Sequence, residues 1–184
     1  MTKLKVCVLF GGISPEHEVS LRSAESVLNH LDAEKYNILP VGITKEGRWI
    51  LFGGTDYSML PSGKWVEHPE NRPVTVSPVR GEGLLCFGKG GITVCSVDVV
   101  FPVLHGENGE DGSVQGLLQL AGIPYVGPHV AESAVAMDKT LTKLVMDSAK
   151  IPQAAWVLVR SSELETKMAD ALEMVEAKFA YPVL

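Results

Sequence analysis

Two glycine-rich loops hold the residues in this sequence whose types and spacing could do chemistry. The first reads GGISPEHE over residues 11–18, and the second reads HGENGEDGSVQG over residues 105–116. Glycines let the backbone approach a ligand closely, and a helix that starts after such a loop offers unpaired N–H groups and a partial positive charge. Both loops therefore suit an anionic group.

The first loop contains an acid, Glu16, close to a predicted helix start. Ser14 is the expected N-cap and Pro15 the expected first helical residue, which would place Glu16 in the first helical turn. An acid at that place stabilises the helix dipole, so a purely structural role is one interpretation. Alternatively, the carboxylate holds an ammonium group beside an anion-binding helix end. The two features together would then recognise an amino acid.

The second loop has the composition of a metal site without the spacing of one. Its side chains His105, Glu107, Glu110 and Asp111 fit neither the calcium-loop pattern nor H-E-x-x-H. Neither loop has the G-x-G-x-x-G or G-x-x-x-x-G-K-[ST] spacing of common nucleotide sites. We therefore predict no metal ligands here, and we leave open whether His105 is structural or functional.

The elements around both loops predict an α/β fold with a parallel, Rossmann-like sheet. Apolar runs at 4–10, 36–43 and 97–104 are typical of buried strands, and residues 19–31 have helical spacing. A further helix is predicted at 113–121, with Gly122 as its C-cap. Ligands of open α/β sheets bind beyond the carboxyl ends of the strands, where both loops would lie.

The rest of the chain divides into an insertion and a second unit. Residues 44–96 are rich in Gly and Pro and predict hairpin strands that decorate the sheet of a first domain, 1–127, with Trp49 and Trp65 as packing residues. Residues 128–184 form a second domain. The segments expected near and after the boundary are strands at 123–126, at 155–159 and from Pro182 onward, and helices at 138–149 and 163–179.

Composition excludes several classes of function. The net charge is −6 with acids and bases mixed, so no basic patch predicts a nucleic-acid partner. No apolar run approaches the ~20 residues of a membrane span, and the apolar run near the N-terminus is too short for a signal peptide. Cys7, Cys86 and Cys95 lack metal spacing and are odd in number, which indicates a reducing compartment. We expect a soluble, cytoplasmic protein.

The two loops, with their full spacing, resemble a known family. The second reads H-G-x-x-G-E-D-G-x-V-Q-G, and the first G-G-x-S-x-E-x-E-V-S-L. In this order they are similar to the two N-terminal motifs of the D-alanine–D-alanine ligase family. Residues 137–139, Met-Asp-Lys, resemble the start of that family's nucleotide-binding region.

The resemblance implies an ATP-grasp enzyme of peptidoglycan synthesis. ATP phosphorylates one D-alanine, and the amine of a second attacks the D-alanyl phosphate to give D-alanyl-D-alanine. Glu16 would hold the first ammonium, directly or through neighbouring hydrogen bonds, and Val19 would pack near the methyl group. His105 and Gly106 would line the substrate end, and Lys139 would meet ATP phosphate. The resemblance also implies Mg²⁺ or Mn²⁺, with metal ligands beyond this chain, and a homodimer.

The resemblance covers only the family's amino-terminal domain and the beginning of its ATP-grasp central domain. We therefore expect the 184-residue chain alone to be inactive. Three alternatives stay open: a non-catalytic binding or dimerisation module of the same fold, a D-Ala–D-Ser or D-Ala–D-Lac ligase, and an ATP-grasp ligase for another amino acid.

Overall fold

Three parallel strands form the part of the sheet that carries both glycine loops. In the computed structural model, which describes residues 2–182, β1 (Leu4–Gly11) pairs in parallel with β2 (Tyr36–Ile43) and with β7 (Val99–Pro102). Helix α1 (His17–His30) makes the crossover that parallel neighbours need. The predicted α/β fold is confirmed, and β2 has the predicted bounds.

Residues between β2 and β7 extend the same sheet with four antiparallel strands. They give the order β6-β5-β4-β3-β2-β1-β7. Three of the four correspond to the hairpin strands that the sequence predicts at 48–52, 83–87 and 92–95, whereas β4 was missed because it contains Pro73, which argues against a strand from sequence. The strands are β3 (Trp49–Leu51), β4 (Arg72–Val76), β5 (Leu84–Gly88) and β6 (Gly91–Cys95), and 3-10 turns at Tyr57–Met59 and Lys64–Glu67 lie between β3 and β4.

Alternation along β1 builds a core on each face of the sheet. Val6, Val8 and Phe10 face one way and pack with α1 and the buried Trp65, whose ring meets that of Phe10 edge-on at 5.2 Å. Cys7 and Leu9 face the other way and pack with the helix that follows the second loop. Both faces of β1 are covered from Val6 to Phe10, which explains why these five residues form a continuous apolar run in the sequence.

Helix α2 (Ser113–Ala121) has the predicted bounds and ends at Gly122, whose φ of 68° suits glycine. The predicted strand at 97–104 is shorter, since its ladder with β1 stops at Pro102. The predicted strand at 123–126 makes one bridge only, between Val100 and Tyr125. Helix α3 (Val130–Met137) was not predicted.

The chain forms two compact units, Met1–Met137 and Asp138–Leu184. In the second, helix α4 (Lys139–Ser148) lies close to its prediction, because Asp138 Oδ1 accepts hydrogen bonds from the N–H groups of Thr140 and Leu141 at 2.8 and 3.0 Å.

Two predictions for the second unit are wrong. Residues 155–159 are not a strand: among the described residues of this unit no strand is present to pair with them, and Trp156 instead donates to Asp147 Oδ2 on α4 at 3.1 Å. The single helix expected at 163–179 is two, α5 (Ser161–Thr166) and α6 (Met168–Glu176), since Lys167 has the non-helical angles φ −141° and ψ 42°. The strand expected from Pro182 falls mostly on residues 183–184, outside the described part.

Candidate functional site

Both glycine loops lie at one edge of the sheet, at the carboxyl ends of β1 and β7. A cavity of about 320 Å³ opens there. Its wall combines residues of both loops with the end of β2, the turn into β3 and the first turns of α2. The lining residues are Gly11, Gly12, Ile13, Ile43, Gly47, Trp49, Leu104, His105, Glu107, Asn108, Gly109, Ser113, Val114 and Leu117. Trp49, predicted to be a packing residue, thus belongs to the cavity wall.

The first loop reaches α1 through a turn, not through the predicted N-cap. Ser14 Oγ accepts from the N–H of Glu16 at 3.0 Å, and the N–H of His17 donates to Ser14 O at 3.1 Å. The helix therefore begins at His17, and Glu16 occupies the N-cap position. This corrects the predicted start at Ser14 and Pro15. It leaves the Glu16 side chain exposed at the amino end of α1.

Two buried side chains of α1 hold the first loop in place. Ser20 Oγ accepts from the N–H of Gly11 at 2.8 Å and donates to Val103 O at 2.5 Å, which ties β1 to the segment after β7. His17 Nδ1 donates to Gly12 O at 2.6 Å. Both side chains are at least nine-tenths buried, so the two glycines are fixed by hydrogen bonds shielded from water.

Acidic side chains shape the second loop from within. Glu110 Oε2 accepts from the N–H of Gly106 at 2.6 Å, and Asp111 accepts from Asn108 and Ser113 at 2.8 and 2.9 Å. Burial opposes ionisation of Asp111, but these backbone donors outweigh it and hold the pKa of that carboxyl below its usual value. The two acids thus close the turn before α2.

The two loops touch at Gly106, which is buried and has φ of +71°. A Cβ placed there would lie 2.5 Å from Glu16 Oε2 and 2.6 Å from Ser14 Oγ. The absence of a side chain at this position therefore lets the Glu16 carboxylate lie against the second loop. Glu16 and Gly106, predicted separately as substrate-binding residues, are brought together.

His105 is held by a residue that sequence reasoning missed. Its Nε2 lies 3.1 Å from Ser23 Oγ, a hydrogen-bonding contact across 82 residues of chain. Ser23 is on α1 two turns beyond Glu16, so the same helix positions both candidate groups. Only the three- and four-residue spacing of a helix could have hinted that positions 16, 19 and 23 share a face.

Val19 is on α1 and its side chain is 48% exposed, an apolar surface available to a small ligand. Glu18 points elsewhere: it forms an ion pair with Lys45, which lowers the pKa of the Glu18 carboxyl. Lys139, the predicted phosphate contact, is the first residue of α4 in the second unit and is exposed.

Among the side chains that the structure describes, no cluster of three or more from His, Cys, Asp or Glu could hold a metal ion. None of the helices described for this chain is long and apolar enough to cross a membrane.

Comparison with known proteins decides the family. Residues 5–128 match the model of the D-ala D-ala ligase N-terminus. The chain belongs to the D-alanine–D-alanine ligase family. A D-alanine–D-alanine ligase of Caldicellulosiruptor bescii is 47% identical over 184 residues, which are 100% of this chain and 50% of the relative. That of Clostridium acetobutylicum is 44% identical over 181 residues, 98% of this chain and 49% of the relative.

Solved structures of ligases have the same fold as this chain. The VanG D-Ala:D-Ser ligase from Enterococcus faecalis has a TM-score of 0.81 at 38% identity, over 98% of this chain and 51% of that one. The D-alanine–D-alanine ligase from Coxiella burnetii has a TM-score of 0.76 at 36% identity, over 95% and 49%. The chain thus spans about half the length of the relatives that it matches, and the resemblance seen in its motifs is confirmed.

Proposed function

We propose that the whole protein joins two D-alanines at the expense of ATP, through D-alanyl phosphate, and that this chain supplies the site for the first D-alanine. The contact between Glu16 and Gly106 is the observation that carries the proposal. Because the two loops meet there, the exposed Glu16 carboxylate, the half-exposed Val19 side chain and His105 lie at one edge of the sheet. A small amino acid needs such groups.

In the proposed complex, Glu16 holds the ammonium of the first D-alanine, directly or through neighbouring hydrogen bonds. Val19 packs against the methyl group, and His105 and Gly106 line the same end. The amino end of α1 carries partial positive charge, which favours the substrate carboxylate and the charge that develops on it during acyl transfer. The fixed turn at Ser14 keeps that helix end in place without reorganisation.

ATP supplies the phosphoryl group that activates the carboxylate. Lys139 fits a phosphate contact, because it is exposed at the amino end of α4. A lysine there is disfavoured by the helix dipole, and a phosphate partner would compensate. The described residues offer no set of acids for Mg²⁺ or Mn²⁺. We propose that the metal ligands lie in the half of the relatives that this chain does not span.

A second acceptor deserves testing because the VanG structure is that of a D-Ala:D-Ser ligase. The site described above concerns the first amino acid, so it fits D-alanyl-D-serine or D-alanyl-D-lactate formation equally well. We further propose, from the family, that the protein is a homodimer and acts in the cytoplasm in peptidoglycan synthesis.

The ligation assay tests the proposed function. With ATP, Mg²⁺ and D-alanine, the full-length protein should release one phosphate per D-alanyl-D-alanine formed, and L-alanine should not replace D-alanine. Reactions with added D-serine or D-lactate identify the acceptor. The 184-residue chain alone should stay at background. Absence of D-alanine-dependent phosphate release by the full-length protein would favour the non-catalytic alternative.

Replacing Ser23 tests how His105 is positioned. Loss of one hydrogen bond, at about 0.5–1.5 kcal/mol, should lower kcat/KM for D-alanine roughly 2- to 12-fold in Ser23→Ala. Ser23→Thr keeps the hydroxyl and should restore most of the activity. Ser26→Ala, at an exposed position one turn further along α1, is the matched control and should behave as wild type. Equal effects of the alanine and threonine variants would exclude the hydroxyl contact.

A further inference from the structure

Two of the three cysteines lie together, outside the ligand edge. Cys86 is on β5 and Cys95 is the last residue of β6, and their sulfur atoms are 2.7 Å apart. A disulfide bond measures about 2.0 Å, so bond formation needs the two sulfur atoms to approach by less than about 1 Å. Neither thiol takes part in the proposed D-alanine site.

The strand register explains why the two thiols meet. Leu84 lies opposite Cys95 and Cys86 lies opposite Thr93 in the antiparallel pair. Residues directly opposite share a face, and so do residues two apart along one strand. Cys95, Leu84 and Cys86 therefore point to the same side, and the two cysteines are diagonal neighbours across the hairpin.

The two thiols differ in access to solvent. Cys86 is buried at 1% exposure, whereas Cys95 is half-buried on β6, the edge strand of the sheet. Burial, followed by the hydrogen bond to Cys95 and the charge of Cys95, raises the pKa of Cys86 to about 12. These three influences outweigh the charge of Arg72, which acts in the opposite direction. A reagent in solution therefore reaches Cys95 first, and Cys86 is placed to react with whatever forms on it.

We propose that Cys86 and Cys95 are a reversible dithiol–disulfide site of this protein, oxidised by a small-molecule disulfide of the glutathione class. Cys95 gives up its proton and its sulfur attacks one sulfur of the oxidant, which forms a mixed disulfide; the other sulfur of the oxidant takes up that proton and leaves as one thiol. Cys86 sulfur then attacks Cys95 Sγ, breaks the mixed disulfide and releases the second thiol, which takes up the proton of Cys86. Two protein thiols are oxidised and one disulfide is reduced.

The site would be transient in a reducing compartment, as disulfides there are. Cys7 serves as an internal reference. It is only 2% exposed on β1, between β2 and β7, and burial, followed by the charge of Cys86, raises its pKa to about 12. No hydrogen bond between described residues joins Cys7 Sγ to another sulfur atom, so Cys7 should remain a thiol.

Peptide mapping tests the site in the folded full-length protein. Trypsin places the three cysteines in separate peptides, 6–22, 81–89 and 90–139, since Lys89 lies between Cys86 and Cys95. After oxidised glutathione and alkylation of remaining thiols, peptides 81–89 and 90–139 should be joined with loss of two hydrogen atoms. Free thiols within residues 1–184 should fall from three to one, and dithiothreitol should restore three.

Variants separate the steps. Cys7→Ser should give the same joined peptides, Cys86→Ser should stop at glutathione on Cys95, and Cys95→Ser should leave Cys86 unmodified. Persistent glutathione on Cys95 of the wild-type protein, no reaction at Cys95, or a bond to Cys7 would each overturn the proposal.

Discussion

Glu16→Gln in the full-length protein should lower kcat/KM for D-alanine roughly 10- to 150-fold, because a hydrogen bond to a charged group contributes about 1.5–3 kcal/mol. A neutral amide keeps the size of the side chain and removes the charge opposite the ammonium. Folding should be little affected, since Glu16 is exposed and its side chain does not cap α1. Steady-state ligation kinetics with varied D-alanine measure the effect.

Glu18→Gln is the matched control for that experiment. Glu18 is exposed on the same helix, two residues away, and its partner is Lys45 on the surface. Surface ion pairs contribute about 0–1 kcal/mol to stability, and the pair does not belong to the proposed site. Near wild-type kinetics of Glu16→Gln, or an equal loss in both variants, would contradict the role of Glu16.

Gly106→Ala should lower kcat/KM for D-alanine by roughly 10- to 100-fold, since small misplacements of binding groups can cost that much. Its Cβ would press on Glu16 Oε2 and Ser14 Oγ, so the carboxylate must leave its place. The left-handed backbone adds a stability loss of about 1–2 kcal/mol. Ligation kinetics and denaturant unfolding measure the two effects separately.

Gly63→Ala isolates the backbone contribution. Gly63 has φ of +73°, close to that of Gly106, but nothing lies within 4 Å of the added Cβ. Its stability loss should therefore equal the backbone part of the loss in Gly106→Ala and should not exceed the whole of it, while its ligation kinetics should stay within about twofold of wild type. Equal kinetic losses in the two variants would show that strain, and not the contact with Glu16, causes the effect.

Local patterns in the sequence predict much of the sheet and its ligand edge. The strand at 36–43 and the helix at 113–121 have the predicted bounds because apolar periodicity and Gly122 define them locally. The same logic places Glu16 and His105 after strands, and hence at one edge. Where local signals suffice, sequence and structure agree.

Features that depend on distant partners could not be predicted. The contact between Ser23 and His105 joins residues 82 apart, and Trp49 enters the cavity wall only because β3 pairs with β2. Residues 155–159 were expected to form a strand and do not. An apolar run forms a strand only where a neighbouring strand receives its hydrogen bonds, and the run itself does not show whether one is there. The spacing of apolar residues shows which face of an element is buried, but it does not identify the element that packs against that face.

The central claim is that the two glycine loops act as one site for D-alanine, and a double-mutant cycle in the ligation assay tests it most directly. Groups in contact show non-additive effects, whereas independent groups multiply their fold-losses. If Gly106→Ala acts by displacing the Glu16 carboxylate, the double variant should lose little more kcat/KM than the worse single variant. Fold-losses that multiply in the double variant would contradict a shared site.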